Sequence, residues 1–244
     1  MKTTFFIITI AAILFGCSNN SNSNAVAIPD TVPDFATATF TNPTIITNSN
    51  YGPQSGQTYV YMAGEVGSIP NEEIRIQRRT STKTVKGINC IVHHDLVSLN
   101  GIVIEDTDDW IAQDDNGNLW YFGEFSKRYD DLGNFIDTHG SWEADVNNAL
   151  PGYWMPKNPT LGQKYHQEYY KNEAEDQAEV IAVGLTVTIG LATYNNCIAT
   201  KDYTKLDTNI YEKKYYAPNI GLIKEEKFED DVLIEVEELT QIIN

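Results

Sequence analysis

The stretch Cys90-Ile91-Val92-His93-His94-Asp95 places a thiol, two imidazoles and a carboxylate side by side. Imidazole and thiolate are the usual ligands of zinc and its neighbours. In a β-strand, however, successive side chains point to opposite faces. His93 and His94 then cannot share one metal without a bulge, and further ligands would have to come from adjacent strands. The stretch Cys197-Ile198-Ala199-Thr200-Lys201-Asp202 repeats the cysteine, isoleucine and aspartate at the same spacing, with Thr200 and Lys201 in place of the histidines. A structural or solvated role for the pair is therefore expected, and no metal. Cys90 and Cys197 are expected as buried, unpaired thiols, with a disulfide between them as the alternative.

Carboxylates are the next candidates. Asp114-Asp115-Asn116-Gly117-Asn118 alternates oxygen donors as a calcium loop does, but lacks the glutamate of an EF-hand, and a hairpin turn accounts for it. Glu105, Asp106, Asp108 and Asp109 keep a divalent cation open nearby. The chain carries no G-x-S-x-G, H-E-x-x-H, P-loop or G-x-G-x-x-G motif. No catalytic residue and no cofactor are assigned. A glycan hydrolase would draw its acids from Glu124, Glu143 and Glu168, with His166 and Glu168 expected on one strand face.

All four tryptophans, Trp110, Trp120, Trp142 and Trp154, lie between residues 110 and 154. Trp142 and Trp154 flank a connector held in turns by Pro151-Gly152 and Met155-Pro156. Trp142, Tyr153 and Trp154 are the candidate ligand-binding residues, as the walls of a cleft under that arch. The alternative is a plug, in which the same aromatics seal an open end of the fold.

The elements that would position these residues are written twice. Aligning the two cysteine stretches also aligns "GQTYVY" at Gly56 with "GQKYHQ" at Gly162, Leu119 with Leu222, and Phe125 with Phe228. The spacing predicts copy one over 52–143, a connector over 144–157 and copy two over 158–242, with Cys90 superposing on Cys197. Each copy reads as about six strands rich in Val, Ile, Thr, Tyr, Phe and Trp, separated by short turn sequences such as Leu99-Asn100-Gly101. Short connections make neighbouring strands antiparallel. The fold class is all-β: a duplicated antiparallel meander forming a barrel, half-barrel or sandwich over 51–244.

The N-terminus adds a location. Lys2 precedes an apolar run over 5–15, the length of a signal-peptide core and too short to span a bilayer. Leu14-Phe15-Gly16-Cys17 resembles the lipobox of bacterial lipoproteins. That resemblance implies removal of residues 1–16, lipidation of Cys17, and a membrane tether in the bacterial envelope, with the outer membrane expected. Residues 17–50, rich in Ser, Asn, Thr and Pro, are expected as the lipidated cysteine and a flexible tether. "YYAPNIGLIKEE" at 215–226 resembles a segment of uncharacterised bacterial envelope lipoproteins, which implies no activity. With a net charge of −17 the surface repels nucleic acid. The expected partner is the membrane, through the anchor. The leading reading is a non-enzymatic binding or structural module, with a glycan hydrolase or a lipid or small-ligand carrier as rivals.

Overall fold

The computed structural model describes residue 29 and residues 31–244, so the signal-peptide region and Cys17 lie outside the described residues. Five long strands form a meander: β1 (Thr58–Glu65), β2 (Glu72–Val85), β3 (Ile88–Leu99), β4 (Ile102–Gln113) and β5 (Leu119–Tyr129). Two short strands, β6 (Phe135–Asp137) and β7 (Trp142–Glu143), add to β5, and β8 (Leu150–Met155) follows. The second half comprises β9 (Lys164–His166), β10 (Glu168–Tyr169), β11 (Asp176–Thr188), β12 (Thr193–Thr204), β13 (Ile210–Ala217), β14 (Gly221–Glu229) and β15 (Val232–Ile243). All are joined in one antiparallel sheet, as the turn chemistry predicts.

Two pairings wind that sheet almost fully into a barrel. β15 returns to β1, with Thr58 opposite Ile243 and Glu65 opposite Glu235. At the other seam β9 pairs with β11 and β10 with β8, so the segment 164–169 staples the two edges together through Gln167. Cys90 lies in β3 and Cys197 in β12. Both are fully buried and both are free.

Residues 31–50 are not a free tether. Phe35 and Phe40 pack on Trp120 and Phe122 with ring centroids 5.6–6.1 Å apart. Polar residues that read as linker composition are anchored by side-chain acceptors on the barrel. The backbone N–H groups of Thr47 and Asn48 donate to Gln113 Oε1 at 2.7 and 2.9 Å, and that of Thr41 to Asp115 Oδ1 at 2.8 Å. This strap covers the outer face of β5 and leaves Trp120 1% exposed. The connector 144–157 likewise is no arch: its residues 150–155 form β8, a stave of the barrel between β5 and β10.

Candidate functional site: the lumen of the barrel

The barrel encloses a cavity of about 480 Å³. Strand alternation decides what lines it. From β4, Glu105, Thr107 and Asp109 point in, while Asp106 and Asp108 point out. The outward pair meets cations there: Asp106 pairs with Lys127 at 3.1 Å and lies 2.9 Å from His94 Nε2, and Asp108 pairs with Arg79 at 3.1 Å. From β3, His93 and Asp95 point in and His94 points out, the opposed faces that the sequence predicts for the histidine pair. Eleven lining side chains are carboxylic acids, against two lysines, Lys214 and Lys227.

A bulge and a break in alternation concentrate acids on one wall. Between β4 and β5 the register steps from Asp109 opposite Glu124 to Ile111 opposite Tyr121. The extra residue on β5 turns both Tyr121 and Glu124 inward. Gly123 makes the step possible: its φ is +130°, and a Cβ there would meet the Trp142 carbonyl oxygen at 2.3 Å. At the staple, Gln167 and Glu168 both line the lumen, so His166 and Glu168 do not share a face. His166 instead meets Thr31 of the strap, with Nδ1 2.8 Å from its hydroxyl.

Tyr121 OH donates to Asp109 Oδ1 at 2.6 Å and lies 3.1 Å from Glu124 Oε2. One phenolic hydrogen serves only one of them; a proton on Glu124 satisfies the other contact by donation to the Tyr121 oxygen. Burial pushes the Asp109 carboxyl up to about 7, against the hydrogen bond from Tyr121, and burial together with the Asp109 charge holds Glu124 well above the carboxylate range. Glu168 is raised well above it too, by burial and then by Asp176 and Glu124. Glu168 is 8% exposed and accepts no hydrogen bond; the indole N–H of Trp142 lies near it, outside hydrogen-bond geometry. Asp95 Oδ1 is buried without a partner as well. Across the lumen, Lys214 Nζ sits 3.0 Å from Glu212, 3.5 Å from Glu225 and 3.7 Å from Asp202. Burial lowers His93 to about 3, so that its imidazole, bonded to Tyr51 OH at 3.2 Å, is neutral.

Of the three aromatic candidates, Trp154 lines the lumen, 5.2 Å from both His93 and Tyr121. Trp142 supports the site from behind, edge-on to Tyr121 at 5.4 Å. Tyr153 faces the other side of β8, against Trp120 at 4.7 Å and Tyr165 at 6.3 Å, because neighbours on a strand alternate. Of the three acids, Glu124 and Glu168 enter the lumen, whereas Glu143 is 3.4 Å from Lys83 and is no part of the lining. The acidic turn 114–118 holds no open ligand set: Asp114 accepts from Asn118 and from Trp120 Nε1, and Asp115 from Thr41. Sequence reasoning missed Asp95, Glu225 and Glu237 as lining residues. In strands charged on both faces, such as β14, no pattern marks the inner one.

No protein-family model and no curated protein matches the chain. Two solved structures are similar to it. A candidate lipoprotein from Parabacteroides distasonis ATCC 8503 is 13% identical with a TM-score of 0.47, over 80% of this chain and 99% of that one. A candidate exported protein with YmcC-like fold from Bacteroides fragilis NCTC 9343 is 15% identical with a TM-score of 0.38, over 81% of this chain and all of that one.

Proposed function

We propose that this chain is an envelope lipoprotein, tethered through an acylated Cys17, whose barrel is a non-enzymatic binding module with its ligand held in the lumen. The cavity carries the reading. Its volume falls within the roughly 300–1,000 Å³ of small-molecule sites, and its wall combines aromatic surface with many carboxyl groups, one of which, Asp95, keeps a buried oxygen without a partner. A lipid carrier fits poorly, since an alkyl chain packed against eleven carboxyl groups would strip their water and return no hydrogen bonds. A glycan hydrolase is favoured by one observation, the convergence of Glu124, Glu168 and Asp109 on one wall. The Tyr121 hydroxyl, however, stands between Asp109 and Glu124 and fills the gap in which a sugar would react. A tandem duplication is the origin we infer for the barrel, supported by Cys90 with Asp95 in β3 and Cys197 with Asp202 in β12.

The test reads occupancy at Trp154, whose indole N–H resonance is assigned by its loss in Trp154→Phe. Titration with organic cations, organic acids and oligosaccharides should move that resonance saturably with one class and leave that of Trp110 in place. A lumen that admits no solute of any class, with Trp154 unmoved throughout, defeats the reading.

A further inference from the structure

The lining of the lumen is dominated by charge of one sign. Its eleven acids face two lysines, and Lys214 is already shared among Glu212, Glu225 and Asp202. Glu168 is more than nine-tenths buried and lines the cavity with only the Trp142 indole N–H beside its carboxyl and no cation paired to it, and Asp95 leaves an oxygen buried with no donor. A buried carboxylate without a partner is costly, and either takes a proton or waits for a cation. A neutral ligand would leave most of these charges uncompensated.

The arrangement also selects among cations. Among the described residues, no group of three or more His, Cys, Asp or Glu side chains converges as a metal ion requires. The unpaired acids are instead spread around the wall: Asp95 on β3 and Glu168 on β10 are separated in the sheet by β4, β5 and β8. Strands lie about 4.8 Å apart, so such positions are bridged by a molecule with several separated charges rather than by one ion. Between them lie Tyr121 on β5 and Trp154 on β8, aromatic surface of the kind that packs on methylenes and attracts ammonium groups through the ring face.

We propose that the lumen binds a linear organic polyammonium ion, its ammonium groups held by the dispersed carboxylates and its methylenes lying along Tyr121 and Trp154. The proposal rests on the luminal binding reading above and narrows it to one ligand class. Spermine is the probe, titrated calorimetrically into the full-length chain in nonionic detergent at physiological salt, beside 1,4-diaminobutane and calcium chloride. One spermine should bind saturably, at least tenfold more tightly than the diamine, and should move the Trp154 indole resonance. Asp95→Asn and Glu168→Gln should each weaken it at least tenfold, with the near-ultraviolet circular dichroism unchanged. Asp131→Asn, an equal charge change on the exposed surface, should leave it within twofold. Should either luminal variant fail to fold, the Trp154 shift in the unaltered chain decides. Spermine binding that ignores the luminal variants, or leaves Trp154 unmoved, is condensation on an acidic surface and overturns the proposal. Stoichiometric calcium that displaces spermine overturns it in favour of a metal. If spermine fails while another solute class moves Trp154, the polyammonium ligand falls and the luminal reading stands; if nothing moves Trp154, both fall.

Discussion

Asp109→Asn should stabilise the empty barrel at neutral and alkaline pH, and the structure sets the size of the effect. Asp109 is 6% exposed, and burial raises its carboxyl from 3.8 to about 7. A carboxyl raised in the folded state binds a proton there that the unfolded chain has already released, so stability falls as pH rises between the two values. At about 1.36 kcal/mol per pKa unit, the full rise corresponds to on the order of 4 kcal/mol lost by pH 8. Glu124 shares the Tyr121 contact and part of the repulsion, so removing one acid recovers about 2–4 kcal/mol. For a domain of this size that is roughly 4–16 °C in Tm. Asparagine keeps an oxygen to accept from Tyr121, so the hydrogen bond survives the change. The assay is thermal unfolding from pH 4 to 8 without ligand. The parent should lose Tm across that range more steeply than Asp109→Asn, and the two should meet near pH 4. Parallel curves, or a variant less stable at pH 8 than at pH 4 by the parent's margin, would refute a desolvated acid at this position.

Three further outcomes test the anchor, the thiols and the strap. Cys17→Ser should release the chain from the membrane fraction and abolish acyl labelling; full membrane retention with acyl chains attached defeats the lipoprotein reading. Cys90 and Cys197 should resist iodoacetamide at pH 8 in the folded protein and both react in denaturant, because both are fully buried and burial pushes the Cys90 thiol up to about 12; a disulfide in the mass spectrum contradicts this. Phe35→Ala should cost about 1–3 kcal/mol in denaturant unfolding, since it uncovers Trp120 and Phe122, whereas a free tether would show no change.

Much of the fold is written in local chemistry. Turns such as Asn100-Gly101 and Asp230-Asp231 adopt the positive φ that their residue types tolerate, and they set the meander. The opposite fates of His93 and His94 follow from strand period alone. What stayed hidden depends on residues far apart in sequence. The strap read as linker because Ser, Asn and Thr look disordered until Gln113 and Asp115 are placed beside them to accept their N–H groups. The 150–155 segment read as an arch because Pro151 and Gly152 are turn residues. Within β8, Gly152 is required by close packing: a Cβ there would meet the His166 carbonyl oxygen at 2.4 Å.

The lumen was the least legible part, for a reason intrinsic to wide barrels. In a sandwich the inner face is apolar, and alternation of hydrophobicity names it. A barrel too wide for its side chains to fill keeps water or ligand inside, and its inner face is then free to be as polar as the outer. Strand β14 shows the consequence: Lys224 and Glu226 pair on the outside at 2.9 Å, while Glu225 and Lys227 beside them line the lumen. Nothing in Lys-Glu-Glu-Lys distinguishes the two pairs. Their surroundings do: Glu226 accepts from Tyr215 and meets Lys224, whereas Glu225 must share Lys214 with two other acids and rises to about 7. On the outer face Asp106, Asp108 and Glu226 each meet a separate cation, whereas of the lining acids only Glu212 and Glu225 form an ion pair, and they share Lys214. That difference between two faces of the same strands is what supports the proposal that a ligand supplies the missing charge in the lumen.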